Sequence, residues 1–400
     1  MSLDLIRVIG QIVDFAASLK TRERERKSKL DFALKTLKSS AAEFDGLRQK
    51  VERSKTTWLV AGPRERIDLC QPAPPCPEDF IVLASDGSHI DADHHQSAHC
   101  FLINIGMAHL QYGRNPDAQL FSFPSLYFKD DEVVITSADG RQTPIEGQLL
   151  GVKRSVEECR LLAERAGELK ADLPLVALLD GSLILWGLAG QTYPDFVVTE
   201  LLVNGFLNYF DKLKELSRSR QFAVASYISF SRSTEVVNLL RLAICPHQPV
   251  DCDRYCPGKF EGRECDVVGG LLDRDLFARL LDPGERSAIF SSRSSVLVKY
   301  YGGHEVNFFY IRLDGEVARV EIPLWVAEDE DLVELVHATV VDQCQRGLGY
   351  PVALSEAHEQ AVVTGADREQ FWALVEQVLA EDRIYLESSA KRWSKRTRWT

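Results

Sequence analysis

Apolar positions recur at helical spacing at the start of the chain, and the period changes further on. Leu5, Val8, Ile9, Ile12, Val13, Ala16 and Leu19 form one stripe. After a charged stretch from Arg22 to Lys29, Leu30, Leu34, Leu37, Ala41, Phe44 and Val51 form another, predicting a second helix of about 25 residues. Together they predict a helical arm over 1–60, an element suited to interaction or dimerisation. Pro72, Pro74, Pro75 and Pro77 break the pattern and mark the entry to the main domain.

Beyond the prolines the apolar runs shorten to strand length. Strands are expected at 80–85, 99–109, 131–137, 174–186 and 221–229, with helices at 147–170 and 195–217. Residues 245–265 read as an irregular, cysteine-rich insertion. Two further strands, 307–313 and 317–323, are joined by the hairpin signal Asp314-Gly315. A helix at 329–346 leads to Gly349-Tyr350-Pro351 and a short helix containing His358. Strands interleaved with helices predict a mixed α/β sheet flanked by helices, in a main domain over 78–380 with a basic tail at 381–400.

Two of the apolar runs end in the same tripeptide, Asp86-Gly87-Ser88 and Asp180-Gly181-Ser182. A buried strand that ends on a carboxylate and a glycine turn presents that carboxylate where ligands bind in open α/β folds. Two such strands in one sheet would set two carboxylates side by side, and a divalent cation relieves their repulsion. Ribonuclease-H-like folds add a third carboxylate from a helix between the acidic strands, and here that helix offers Glu157 and Glu158. Helical phase does not separate the two. Arg154, four positions before Glu158, would orient that carboxylate, which favours Glu158. Three such groups hold two divalent ions at roughly 3.5–4 Å separation.

The 400 residues are 45% hydrophobic and 26% charged, ordinary for a soluble globular protein. No apolar run reaches the length of a membrane span, and Asp4 and Asp14 interrupt the N-terminal stripe where a signal peptide would be apolar. A cytoplasmic location is expected. The nine cysteines are an odd number, which suits a reducing compartment. Cys245, Cys252, Cys256 and Cys265, with His247 among them, are candidate ligands for zinc or an iron–sulfur cluster, although the central pair is spaced C-x3-C. The net charge of −12 is uneven: residues 1–60 carry 13 basic against 8 acidic groups, and the last ten carry five basic groups and no acid. Basic ends around an acidic body permit local phosphate contacts while the body repels polyanions. No P-loop occurs, so ATP-driven movement would have to come from a partner.

Several segments resemble the NurA nucleases, which partner the HerA translocase. They are Ala84-Ser-Asp86-Gly-Ser88, Leu102-Ile-Asn-Ile-Gly106, Leu179-Asp180-Gly-Ser-Leu183, Gly284-Glu-Arg-Ser-Ala-Ile-Phe290, Arg319-Val-Glu-Ile-Pro323, Gly349-Tyr350-Pro351 and Leu354-Ser-Glu-Ala-His358. The resemblance covers roughly residues 78–380 and implies a ribonuclease-H-like fold. It implies Asp86, the glutamate on the intervening helix, Asp180 and His358 as ligands of Mn²⁺ or Mg²⁺, with Tyr350 completing the catalytic set; between Glu157 and Glu158 only the Arg154 spacing favours Glu158. By the same resemblance the chain would be a DNA nuclease, a 5'-to-3' exonuclease with single-strand endonuclease activity. It would act in end resection and double-strand break repair, as a homodimer docked on a HerA-like hexameric ATPase. Two other readings stay open: a non-catalytic DNA or translocase adaptor, and a two-metal RNase.

The remaining candidates are weaker. Ser88 and Ser182 lack a nucleophile elbow and are expected to hydrogen-bond turn backbone or a ligating carboxylate. Asp91, Asp93, His94 and His95 cluster after the first acidic run, and Arg286 and Lys299 are candidate phosphate contacts.

Overall fold

The apolar run that begins at Phe80 forms a strand through to Ile90, part of a mixed sheet. The computed structural model describes residues 5–92, 100–170, 172–189, 193–258 and 262–381. The chain divides into two units, the larger made of Pro74–Ile228, Ser295–Val306 and Glu321–Thr400. Its strands lie in the order Phe222–Ile228, Leu175–Asp180, Phe80–Ile90, Phe101–Tyr112 and Asp117–Tyr127. The first three run parallel, and the last two pair antiparallel. Leu175–Leu179 and Phe222–Tyr227 are buried throughout, which is why they read as continuous apolar runs and not as alternating ones.

The helix Gln148–Glu168 covers one face of this sheet. Its Leu149, Val152, Val156, Cys159, Leu162 and Ala166 pack in one core with Ile81, Leu83, Ile103 and Ile105. The helix Val352–Ala361 packs on the strands Phe80–Ile90 and Phe101–Tyr112, and Glu330–Arg346 packs on Phe222–Ile228. Expectation and structure differ at several points. The Phe80 strand does not end at a glycine turn but continues through Asp86-Gly87-Ser88, whereas the Leu175 strand does end at Asp180, with Gly181 at φ +86°. Asp117–Tyr127 is an additional strand whose largely exposed positions and Pro124 hid it, as befits an edge. Residues 131–137 divide into a short helix, Asp130–Val133, and a strand, Val134–Thr136, paired with Gln142–Pro144. A further helix occupies Gly365–Glu381.

The smaller unit comprises Met1–Ala73, Ser229–Ser294 and Asn307–Val320. Its first helix runs unbroken from Leu5 to Ala42, through the charged stretch expected to separate two helices. Arg, Glu and Lys are good helix formers, so a solvated charged segment does not stop a helix that is anchored further along. That anchor is Leu30, Ala33, Leu37 and Ala41, buried in one core with the helices Glu235–Ile244 and Asp273–Leu280. Nearer the N-terminus, Leu5, Ile9, Ile12, Val13, Phe15 and Leu19 are exposed. The cysteine segment is irregular, with single turns at Cys252–Tyr255 and Glu264–Val268. The strands Val306–Arg312 and Val317–Pro323 follow the expected hairpin. Among the described residues no helix is long and apolar enough to cross a membrane. The basic tail expected at 381–400 lies outside the described residues beyond Glu381.

Candidate active site

Parallel pairing of Ser85 with Leu179 makes Asp86 and Asp180 the next residues on two adjacent strands. Neighbouring strands lie about 4.8 Å apart, so the two carboxylates share one edge of the sheet. Asp86 Oδ1 accepts from the Gly87 N–H at 2.7 Å. Burial, followed by the charge of Asp86, raises the Asp180 carboxyl above the ordinary aspartate range.

The covering helix brings Glu158 to the same edge. Burial pushes its carboxyl up to about 7, and the charges of Asp86 and Asp180 act in the same direction, opposed by Arg154. Arg154 Nε lies 3.0 Å from Glu158 Oε1, the four-residue pairing the sequence suggests. Apart from this ion pair, Glu158 Oε1 has no partner. Glu157, also buried, points elsewhere and is held by Lys153 at 2.8 Å and Arg160 at 2.7 Å. Against the upward push of burial, these two cations keep Glu157 below the usual carboxylate range. Gly87 has a packing role here: a Cβ at this position would lie 2.5 Å from Glu158 Oε1. Glycine in the strand is what allows helix and sheet to close around the acidic groups.

His358 arrives from the opposite face. Its Nδ1 lies 2.7 Å from Asp86 Oδ2, and more than half of its side chain is exposed. Asp86 thus engages Nδ1 of the ring and not Nε2. Side chains near Asp86 fix the helix that carries His358. Asn104 Nδ2 donates to the carbonyls of Gln360 and Ala361, both at 3.0 Å, and the Ser88 hydroxyl donates to the Ala361 carbonyl. A Cβ on Gly106 would collide with the Ala357 carbonyl and the Ala361 nitrogen. Ser88 thus bonds helix-end backbone and takes no nucleophilic position.

Tyr350 reaches the other aspartate. After the helix Glu330–Arg346, Leu348 takes φ +55° and Gly349 φ +111°, which turns the chain back. The Tyr350 hydroxyl donates to Asp180 Oδ1 at 3.1 Å, and its ring meets Tyr227 edge-on at 5.4 Å. On the loop after Asp180, the Ser182 hydroxyl donates to Glu321 Oε2 at 2.8 Å, and the Leu183 N–H donates to the same oxygen at 2.9 Å. Glu321, 1% exposed, therefore holds the loop in place.

Asp86, Glu158, Asp180, Tyr350 and His358 thus converge on one edge of one unit. The other candidates do not join them. Asp91 lies with His89 and Arg368, while Asp93, His94 and His95 lie outside the described residues. Arg286 is buried in the smaller unit and bonded to Glu65 and the Ser287 carbonyl, so it is not available to a phosphate. Lys299 is exposed, 3.4 Å from Asp195. The cysteines are free thiols: Cys252 and Cys265 buried, Cys245 and Cys256 half-buried. His247 stacks on Tyr255 at 4.1 Å, and burial raises the Cys252 and Cys265 thiols. Among the described residues, no three His, Cys, Asp or Glu side chains are placed to close around a metal ion. That holds for the cysteines and for the acidic edge alike; Cys252 lies within electrostatic reach of Cys245 and Cys256, and Cys265 of Cys245. The acidic edge has the chemistry of a hard divalent-cation site, because the charges of Asp86 and Asp180 raise the Glu158 carboxyl and that of Asp86 raises Asp180.

Composition and period did not single out Asn104, Gly106, Glu321 or Trp186. The first three lie in two of the quoted segments, Leu102–Gly106 and Arg319–Pro323, which was the available signal.

The NurA domain profile matches residues 80–363. No curated protein matches the chain by sequence. Among solved structures, a crystal structure of NurA is 11% identical, with a TM-score of 0.39, covering 76% of this chain and 90% of that one. A crystal structure of NurA with manganese is 10% identical, with a TM-score of 0.36, covering 78% and 91%. An Argonaute of Aquifex aeolicus is 10% identical, with a TM-score of 0.26, covering 71% of this chain and 28% of its own.

Proposed function

From the premise that this chain belongs to the NurA-domain family, we propose that it is a divalent-metal-dependent DNA nuclease. The observation that carries this reading is the meeting of Asp86 and Asp180 on adjacent parallel strands with Glu158, a buried carboxyl pushed up to about 7. The strand order of the larger unit, three parallel and two antiparallel with a helix bearing the third carboxylate, supports a ribonuclease-H-like site.

Asp86, Glu158, Asp180 and His358 would hold the metal, through carboxylate oxygens and the free Nε2. Mn²⁺ or Mg²⁺ there would supply polarised water and neutralise the leaving oxygen. Asp86 orients His358 through Nδ1, as carboxylates do for metal-ligating imidazoles. Tyr350 fixes Asp180 and, by donating to it, favours its charged form. Arg154 offsets part of the negative charge on Glu158.

The proposed activity is 5'-to-3' exonucleolytic with single-strand endonuclease activity, in end resection and break repair beside a HerA-like ATPase. The exposed apolar positions Leu5, Ile9, Ile12, Phe15 and Leu19 support assembly, as a homodimer, through the first helix. Light scattering of the full chain at micromolar concentration tests the dimer, and a monomer would overturn it. The test of the chemistry is cleavage of end-labelled single- and double-stranded DNA and RNA with Mn²⁺, Mg²⁺ or chelator. Wild type should cleave DNA only with metal, and Asp86→Asn should not cleave. Cleavage by Asp86→Asn at the wild-type rate, or in chelator, would overturn the assignment.

A further inference from the structure

A cavity of about 400 Å³ opens beside the carboxylates, within the larger unit. Gln148, Arg154, Glu158, Asp180, Ser182 and Trp186 line it. Its size falls in the roughly 300–1,000 Å³ range of small-molecule sites. Trp186 is 42% exposed, although Leu183, Ile184, Leu185 and Leu188 around it in sequence are buried. The indole does not float. Its Nε1 donates to Ser182 Oγ at 3.1 Å, and Ser182 donates onward to the buried Glu321. A chain of hydrogen bonds from a buried carboxylate thus fixes the ring beside two of the acidic groups.

A rigid aromatic face, an amide at Gln148 and a cation at Arg154, all next to a phosphodiester-cleaving centre, have the chemistry of a nucleotide. Bases stack on aromatic side chains in single-stranded nucleic acid sites, with little regard to sequence. We propose that Trp186 is the stacking platform for the base adjoining the scissile phosphate, so that the cavity is a nucleotide subsite and Trp186 a positioning residue. This rests on the nuclease reading. A stacked base must leave its duplex partner, so the subsite favours single-stranded or frayed ends.

The test is equilibrium binding of full-length protein, with Ca²⁺ in place of the catalytic metal, to fluorescent single-stranded oligonucleotides. One abasic site is placed in turn at each of the three terminal positions at either end. In wild type, one position should weaken binding about tenfold when the base is missing. Trp186→Ala and Trp186→Leu should erase that difference, and Trp186→Phe should retain most of it. A merely structural role would lower binding to all strands equally, and that result overturns the proposal. So does a wild type indifferent to every abasic position. If Trp186→Ala does not fold, as read by its melting curve, the Leu and Phe variants carry the comparison. Cleavage assays separate the two readings. DNA cleavage without abasic discrimination removes the subsite alone, whereas Trp186-dependent discrimination without cleavage under any metal removes the nuclease reading, and with it the placement beside a scissile phosphate, and leaves only a base-binding cavity.

Discussion

Gly106 faces Ala357 so closely that a Cβ on the glycine would collide with the alanine carbonyl. This approach, with the bonds from Asn104 and Ser88, sets the height of the His358 helix above the sheet and hence the 2.7 Å contact with Asp86. Gly106→Ala should force the helix outward, at an overpacking cost of about 1–3 kcal/mol. Displacing His358 by about 1 Å should lower single-turnover cleavage per folded molecule roughly a hundredfold. Gly167→Ala, with open space around its Cβ, is the control and should leave both unchanged. Unaltered cleavage by Gly106→Ala would dissociate the helix from the chemistry.

Glu158 gives the site a pH signature. Its carboxyl is raised from 4.5 to about 7, so between those values the folded metal-free protein holds a proton that the unfolded chain has released. The associated stability is fully present below about pH 4.5 and is lost as pH rises through about 7, at about 1.4 kcal/mol per pH unit. Denaturant unfolding in chelator should show this loss in wild type and a flatter profile in Glu158→Gln. Because a bound cation must displace the same proton, Mn²⁺ affinity by calorimetry should rise from pH 6 to 8. Parallel profiles for the two proteins would contradict the assignment.

The carboxylates were legible in the sequence because apolar runs and helix positions report on the backbone, although only Asp180 closes its strand, while Asp86 lies inside one that continues to Ile90. Asp86 and Asp180 each follow an apolar run, and the spacing from Arg154 to Glu158 is a local geometric fact. The role of Gly87 was not legible, since glycine after aspartate reads as a turn and here it makes room for a helix. The strand Asp117–Tyr127 escaped because its positions are mostly exposed and it contains Pro124. The unbroken helix Leu5–Ala42 escaped because charge reads as a break where backbone propensity carries on. Glu321 and Trp186 depend on contacts across 139 and 4 residues, respectively, to one serine, and no periodicity encodes them.

Glu157 and Glu158 are adjacent in sequence and should behave in opposite ways. Glu157→Gln removes a partner from Lys153 and Arg160, and should cost about 1–2 kcal/mol of stability with cleavage per folded molecule unchanged. Glu158→Gln should reduce cleavage more than about a hundredfold, as loss of a metal-holding carboxylate does. Thermal melts and single-turnover rates on the same preparations decide the matter. Equal losses of cleavage in both variants would mean that the helix tolerates no change there and that Glu158 has no special part.

Tyr350→Phe isolates one hydrogen bond. The ring keeps its edge-on packing against Tyr227, so the fold should lose only about 0.5–1.5 kcal/mol, the worth of a hydrogen bond. The Asp180 carboxyl, raised by burial and by Asp86, loses the donor that pulls it down and should move higher still. A higher carboxyl pKa means that protons compete with metal up to a higher pH. The acidic limb of the rate–pH profile should therefore shift to higher pH in Tyr350→Phe, and added Mn²⁺ or a more alkaline buffer should restore part of the lost rate. A uniform fall in rate with no shift of that limb, and no rescue by metal, would show that Tyr350 acts by some route other than holding Asp180 ionised.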